Sequence, residues 1–475
     1  MVVLTDYSRF DAMGLAELVR SRQVTPTELL DAAFTRMEAV DPHINAVVMR
    51  HLDEACAALA RGLPTGPFTG VPFLLKNLGV GFEGTVTDNG CAFFKDAVAP
   101  ADTTLTARYR KAGFVICGKT NTPEFGLTVS TEPRLHGPTR NPWNRGLSAG
   151  GSSGGAAAAV AAGIVPAAHA SDGGGSIRLP AAACGLFGFK PTRGRVPFGP
   201  DKGEGWDGMS HMHVVSRSVR DSAAILDATA GAEAGDPYAA PPGGPFLSSL
   251  RRDPASLRVA LVLDEPDGVR MDRPVRGAVE AVAELLQDLG HRVEPVSLPI
   301  DYPTLRRAQA TIIFASTAAI IAERAAVLGR DPGPEDLEPG THGIVQAGQS
   351  FTARDYAAAT MTMHRIGRSM GRLHETYDVI LQPTTATLPP PIGRLTLMRT
   401  DTQAYAADLF AYAPFLALYN MTGAPSMSMP LVWTEAGLPV GVMFSADFGA
   451  DDLLFALAAQ LERSMPWGHR FPAPV

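Results

Sequence analysis

Apolar and polar residues alternate at helical spacing over residues 15–22 and 27–39, which predicts two amphipathic helices. The second opens on Thr25-Pro26-Thr27-Glu28, with Thr25 placed as N-cap, Pro26 at the first helical position and Glu28 three residues on. A short strand is predicted at 47–49 and a helix at 52–61, stopped by Gly62. Gly66-Pro67 and Gly70 bound a turn before the apolar run Val71-Pro72-Phe73-Leu74-Leu75, which delivers Lys76. Residues 114–117 read as a strand, 124–131 as a loop, and 141–147 as irregular chain with poor strand character. The alanine run 156–162 has the highest helix propensity in the chain. A helix at 218–230 precedes a Pro-, Gly- and Ala-rich surface connection at 231–256.

Further on, strand 258–263, amphipathic helix 273–289 and strand 291–296 form a β-α-β order that favours parallel pairing. Residues 305–328 and 353–376 read as helices separated by a Pro- and acid-rich loop at 330–340. A strand at 377–382, a turn at Pro389-Pro390-Pro391, a strand at 440–445 and a helix at 451–463 complete the pattern. Together these elements predict an α/β protein. We expect one domain over 1–475: a helical part to 65, a core at 66–230, the connection, and a second half at 257–475 that walls a substrate site.

The 475 residues are 45% hydrophobic and 19% charged, so the chain can bury a large core. With a formal net charge of −7 and no basic cluster, a nucleic-acid surface is not expected. The four cysteines are scattered without a CxxC pair, which predicts buried free thiols rather than a zinc site or disulfide framework, and a reducing, cytoplasmic setting. The N-terminus lacks the charged and apolar regions of a leader. The stretch 312–328 is interrupted by Glu323 and Arg324 and is expected as a buried helix rather than a membrane span.

Candidate chemistry lies between 150 and 190. Ser152 sits in Gly150-Gly151-Ser152-Ser153-Gly154-Gly155 and Ser176 in Asp172-Gly173-Gly174-Gly175-Ser176-Ile177-Arg178. A hydroxyl nucleophile needs open approach and backbone N–H donors for the developing oxyanion. The three glycines before Ser176 can leave consecutive amides free, so those of Gly173, Gly174, Gly175 and Ser176 are candidate donors. Burial of Lys76 behind its apolar run would lower its pKa toward that of a general base.

These residues resemble the signature of the amidase signature family of serine hydrolases, as do Gly118-Lys119-Thr120-Asn121-Thr122-Pro123-Glu124-Phe125, Asn420-Met421-Thr422-Gly423-Ala424-Pro425 and Gly437-Leu438-Pro439-Val440-Gly441. The resemblance implies a twisted mixed sheet with helices on both faces. It implies Ser176 as nucleophile, Ser152 as the serine on a cis peptide bond, and Lys76 as base. It implies hydrolysis of a C–N bond through an acyl-enzyme with no metal or organic cofactor. Asp172 and Arg178 are expected to hold the loop, with Ser153, Thr128 and Ser130 as supporting or substrate-loop residues. Some members carry a membrane anchor before the catalytic core, and none is expected here. Where many members have Gln, this chain has Met443, which puts a polar contact near the site in doubt.

Other readings compete. Gly113 to Thr120 matches the GxxxxGK[ST] pattern of a P-loop, but an apolar strand-like run fills its centre and no helix follows Lys119 directly. Gly150-x-Ser152-x-Gly154 matches a nucleophile elbow, which needs a strand before Gly150. His211 and His213 alternate on a strand, where a polar strand face fits better than a metal site lacking a third ligand. A glutamine amidotransferase A-type subunit of a tRNA-dependent complex is the alternative function. Gly173 and Leu179 depart from the residues expected there, and a non-catalytic binding protein would not need all three triad residues. The stretches 169–178 and 184–188 are similar to the branch that includes 6-aminohexanoate cyclic-dimer hydrolases. We therefore expect a monomeric or homodimeric hydrolase of bulky apolar or aryl amides, extending to carbamates (urethanes) and nylon-type oligomers. The room that Gly173 leaves, apolar Leu179, and a wall of Ile312, Ile313, Phe314, Ile320 and Ile321 are its expected determinants.

Overall fold

The computed structural model describes residues 6–473. Residues 1–5, part of the stretch read as lacking a leader, lie outside them. Thirteen strands form in chain order among the described residues: β1 (Val47–Arg50), β2 (Pro72–Lys76), β3 (Val115–Thr120), β4 (Arg140–Asn141), β5 (Asn144–Ser148), β6 (Ala167–Asp172), β7 (Phe187–Lys190), β8 (His211–Ser216), β9 (Arg258–Leu261), β10 (Arg292–Pro295), β11 (Val379–Pro383), β12 (Ser426–Trp433) and β13 (Pro439–Ala446). Eleven build one sheet in the order β1-β3-β2-β6-β8-β7-β12-β13-β11-β9-β10, while β4 and β5 pair apart from it. The sheet is mixed. β2 runs parallel to β3 and β6, β11 and β10 run parallel to β9, and the centre is antiparallel.

Period-two alternation decides what each sheet face packs against. Phe73 and Leu75 of β2 join Ala167 and Val214 in the larger core. Leu74 joins Ala168, Ala170 and Val215 under the Ala-rich helix Gly154–Ala161. That helix is buried along its whole length, as a segment without polar side chains must be. The helix Arg273–Asp288 buries Val275, Ala278, Val279, Val282 and Leu286, the one-sided spacing read from the sequence. Thr25 and Glu28 close the expected capping box on the helix Pro26–Ile44.

Several expectations are corrected. Asn144–Ser148 is a strand, but it pairs with Arg140–Asn141 in a ribbon and does not enter the central sheet that a nucleophile elbow would require. Cys56 is exposed, while the other three cysteines are buried free thiols. The helix Tyr302–Leu328 is long and apolar enough to cross a membrane, yet only 22% of its most apolar window is buried. It packs on two neighbours, Pro339–Ser350 and Ala353–His374, and turns much of its apolar surface to a cavity. Pro339–Ser350, Thr402–Tyr412 and Leu418–Thr422 are helices that the sequence pattern did not reveal. His211 and His213 do not form a polar face: both are buried, and burial lowers the pKa of each, that of His213 to about 3. Among the described residues no cluster of three His, Cys, Asp or Glu side chains is placed to hold a metal ion.

Candidate active site

Lys76 ends β2 and Asp172 ends β6, neighbouring parallel strands whose C-terminal ends lie at the same sheet edge. Lys76 is fully buried. Its Nζ lies 2.7 Å from Ser152 Oγ, 3.0 Å from Ser153 Oγ and 3.0 Å from Ser171 Oγ. Ser152 and Ser153 come from the turn that starts the Ala-rich helix, where the Gly151–Ser152 peptide bond is cis. Position 151 must be glycine for this turn to form, because a Cβ there would sit 2.4 Å from the carbonyl oxygen of Ser130. Burial lowers the Lys76 pKa to about 7, against the opposing charge of Asp172. The amine is therefore divided between neutral and charged forms near neutral pH.

The hydrogen bonds around Lys76 limit which partner can face the lone pair of the neutral amine. Ser153 Oγ donates to the carbonyl of Ser171 at 3.1 Å, so it can only accept from Lys76. The lone pair of the neutral amine can therefore meet the hydroxyl of Ser152, the shortest of the three contacts, or that of Ser171. Ser171 carries no role in the sequence reading. Its proximity to Lys76 depends on the pairing of β2 with β6, and only its place beside Asp172 hinted at it. His169 is no competing base: its Nδ1 accepts from the backbone N–H of Lys76 at 3.3 Å, and burial lowers its pKa to about 3.

Asp172 and Arg178 are both fully buried and joined twice, Nε to Oδ2 and Nη2 to Oδ1, each at 2.9 Å. Burial alone would raise the Asp172 pKa. The charge and hydrogen bonds of Arg178 override it and hold the carboxyl well below the usual carboxylate range. Asn420 Nδ2 donates to Asp172 Oδ1 at 2.8 Å, and its Oδ1 accepts from Arg178 Nη2 at 2.7 Å. Met443 Sδ accepts from Arg178 Nη1 at 3.6 Å. This network fixes the chain from 172 to 178. Arg178→Ala would leave a carboxylate buried without its partner, and we expect it to destabilise the protein by about 3–5 kcal/mol. Denaturant unfolding of the variant checks this, and a change below about 1 kcal/mol would refute it.

The loop spends one of its amides on that network. The N–H of Gly175 donates to Asp172 Oδ1 at 2.7 Å, which removes Gly175 from the expected oxyanion donors. The N–H groups of Gly173, Gly174 and Ser176 have no acceptor among the described residues. Ser176 Oγ makes no hydrogen bond among the described residues, and its residue is 9% exposed. Gly173 does not leave open room. The ring of Trp206 fills it, so a Cβ at 173 would lie 2.4 Å from Trp206 Cζ3. Leu179 is fully buried and lines neither cavity at the site.

Two cavities meet at Ser176. One, of about 450 Å³, is lined mainly by apolar side chains, including Ile313, Phe314, Leu409 and Phe410. The other, of about 390 Å³, mixes apolar residues such as Phe125, Phe198 and Ile320 with Ser152, Ser171, Glu204 and Asp207. Of the expected wall, Ile313, Phe314 and Ile320 face these cavities, whereas Ile312 and Ile321 are core. Thr128 lines the apolar cavity and accepts a hydrogen bond from Tyr405 Oη at 2.6 Å. Ser130 turns its hydroxyl to the carbonyl of Leu395 at 2.7 Å and supports the turn at 151 through its backbone.

Comparison with known proteins agrees with this architecture. The chain is 37% identical to 6-aminohexanoate-cyclic-dimer hydrolase of Paenarthrobacter ureafaciens over 97% of its own length and 96% of that protein's. The solved structure of a 6-aminohexanoate cyclic dimer hydrolase complexed with substrate superposes with a TM-score of 0.93, covering 98% of this chain and 99% of that one at 37% identity. A bacterial aryl acylamidase of the amidase signature family superposes with a TM-score of 0.88 at 29% identity, over 98% of both chains. The amidase family pattern itself matches residues 28–455. On a match of that extent, joined to full-length relatives, the chain belongs to the amidase family and is a hydrolase acting on non-peptide amide C–N bonds.

Proposed function

We propose that the chain is a serine hydrolase in which Ser176 attacks the carbonyl, Ser152 relays the proton and Lys76 is the base. The observation that carries this reading is a buried amine with a pKa near 7 in contact with Ser152 Oγ, at the margin of a cavity that also holds Ser176. In acylation, Ser176 Oγ bonds to the carbonyl carbon, its proton passes to Ser152, and the Ser152 proton passes to Lys76. The C–N bond then breaks, and the relay returns a proton to the departing nitrogen. Water attacks the resulting ester by the same route and releases the acid. Ser152 and Ser176 are not hydrogen-bonded to each other in this structure; such contacts tighten in the substrate complex. The free N–H groups of Gly173, Gly174 and Ser176 are the donors for the oxyanion. Gly174→Pro removes one, and a rate loss of about 10²–10³-fold with the fold retained is expected. Unchanged kinetics in that variant would place the hole elsewhere.

The substrates are bulky apolar or aryl amides, with nylon-type oligomers and carbamates beside them. The apolar cavity supports this reading, as do the substrates named for the similar proteins. A carbamate differs by one ester oxygen on the carbonyl and passes through the same kind of tetrahedral oxyanion, so one site serves both. A panel of anilides, aliphatic amides, nylon oligomers, aryl carbamates and glutamine, read by amine release, tests it. Turnover of glutamine with none of anilides or carbamates would favour the amidotransferase-type alternative.

A further inference from the structure

The two cavities share Ser176, Trp206 and Gly126, and otherwise have different walls. Trp206 stands between them. It and Asp207 both adopt left-handed backbone conformations, each with φ 55°, which side chains other than glycine rarely occupy. The turn is held by the N–H of Met209 on the carbonyl of Trp206 at 3.1 Å and by Ser210 on Gly205 at 3.0 Å. Its effect is to press the indole against Gly173, directly beside the loop that carries Ser176. Strained backbone of this kind persists where the surrounding structure enforces it, often at a ligand clamp.

The proton route gives the two cavities a direction. Ser152 and Ser171 border the more polar, 390 Å³ cavity and not the 450 Å³ one. Once the C–N bond breaks, the departing nitrogen takes its proton from Ser152, so it must lie on that side. From this we infer that Trp206 is a specificity-determining partition that makes the site directional: the acyl group occupies the 450 Å³ apolar cavity and the leaving amine the more polar one of 390 Å³. The inference rests on the serine-relay reading above.

The chemistry of the walls adds a preference on each side. The acyl side takes an extended apolar or aryl chain against Ile313, Phe314 and Leu409. On the amine side, Glu204 Oε2 is buried with no hydrogen-bond partner, and Asp207 Oδ2 accepts from Thr360 Oγ1 at 2.6 Å. Lys202 is the cation among the residues bordering this cavity. An unpartnered buried acceptor favours a leaving amine with a second hydrogen-bond donor, a hydroxyl or an ammonium. The preferred substrate is thus an amide or carbamate with an apolar acyl arm and a polar amine arm.

The test uses two isomers of equal composition: the hydroxypropyl amide of phenylbutanoic acid and its reversal, the phenylpropyl amide of hydroxybutanoic acid. The first is expected to have a kcat/KM at least about ten-fold higher, the scale of discrimination that pocket walls provide. Trp206→Ala removes the partition and should bring that ratio toward one, whatever happens to the absolute rates. Trp206→Phe, which keeps a ring against Gly173, should give a ratio between the two and serves if the alanine variant does not fold. Glu204→Gln should lower the rate on the hydroxypropyl amide more than on the plain propyl amide of the same acid. Equal or inverted rates for the two isomers in the wild type, with Ser176 still labelled by a fluorophosphonate, would overturn the assignment of arms alone. Absence of both labelling and hydrolysis would overturn the serine-relay reading beneath it. A ratio unchanged in both Trp206 variants would overturn the partition.

Discussion

Replacing Ser176 with alanine is expected to lower kcat/KM on every hydrolysed amide by about 10⁶-fold, the scale on which a serine hydrolase loses activity without its nucleophile. The change should leave the fold intact. Ser176 Oγ makes no hydrogen bond among the described residues, and the loop around it is fixed by Asp172, Arg178 and Asn420. Removing one unbonded oxygen therefore shifts stability by no more than about 0.5 kcal/mol. Matched thermal unfolding, steady-state kinetics and fluorophosphonate labelling check the prediction together. A folded Ser176→Ala protein with near-normal turnover would remove the central claim. An adduct mapped to Ser152 would restore the elbow reading, despite the separation of β5 from the central sheet.

Lys76→Met should be nearly as severe, with a loss of about 10⁴-fold, the upper end of what a positioned general base contributes. Methionine fills the space with an unbranched chain of similar length, so the variant tests the amine and not the packing. The pH dependence follows from the sign of the shift. Burial lowers the Lys76 pKa to about 7, and only the neutral amine has a lone pair for the Ser152 proton. Wild-type kcat/KM should therefore be low in acid, rise through a midpoint near pH 7 and level off above it. The three histidines buried near the site have depressed pKa values and cannot produce this limb, because they are already neutral. Retention of the same limb in Lys76→Met, or an equal loss in His169→Gln with Lys76 intact, would exclude Lys76 as base.

Most elements of the sheet and its helices were legible because their patterns are local. β1, β9, β10, β11 and β13 and the helices Leu52–Arg61 and Arg273–Asp288 lie at or within a few residues of where period and end signals put them. Helices with weak local signals were not legible. Pro339–Ser350 contains three glycines, and its last one is required by contact, since a Cβ at Gly348 would lie on the carbonyl oxygen of Phe314 in the long helix. Thr402–Tyr412 presents no single apolar stripe, because it packs beside a cavity and not on a flat core.

The same division runs through the site. By itself the sequence determined that a lysine follows an apolar run, that two serines sit in glycine-rich turns, and that an alanine run of high helix propensity separates them. Each depends on residues adjacent in the chain. The tertiary structure alone decided that Ser171 joins Ser152 and Ser153 around Lys76, because that contact follows from the pairing of β2 with β6. Only folding showed that the Gly175 amide is consumed by Asp172, and that the room beside Gly173 belongs to Trp206. A glycine-rich stretch permits many backbone directions. Which amide faces a carboxylate and which faces a cavity is set by side chains far away in sequence, whose positions no local period encodes.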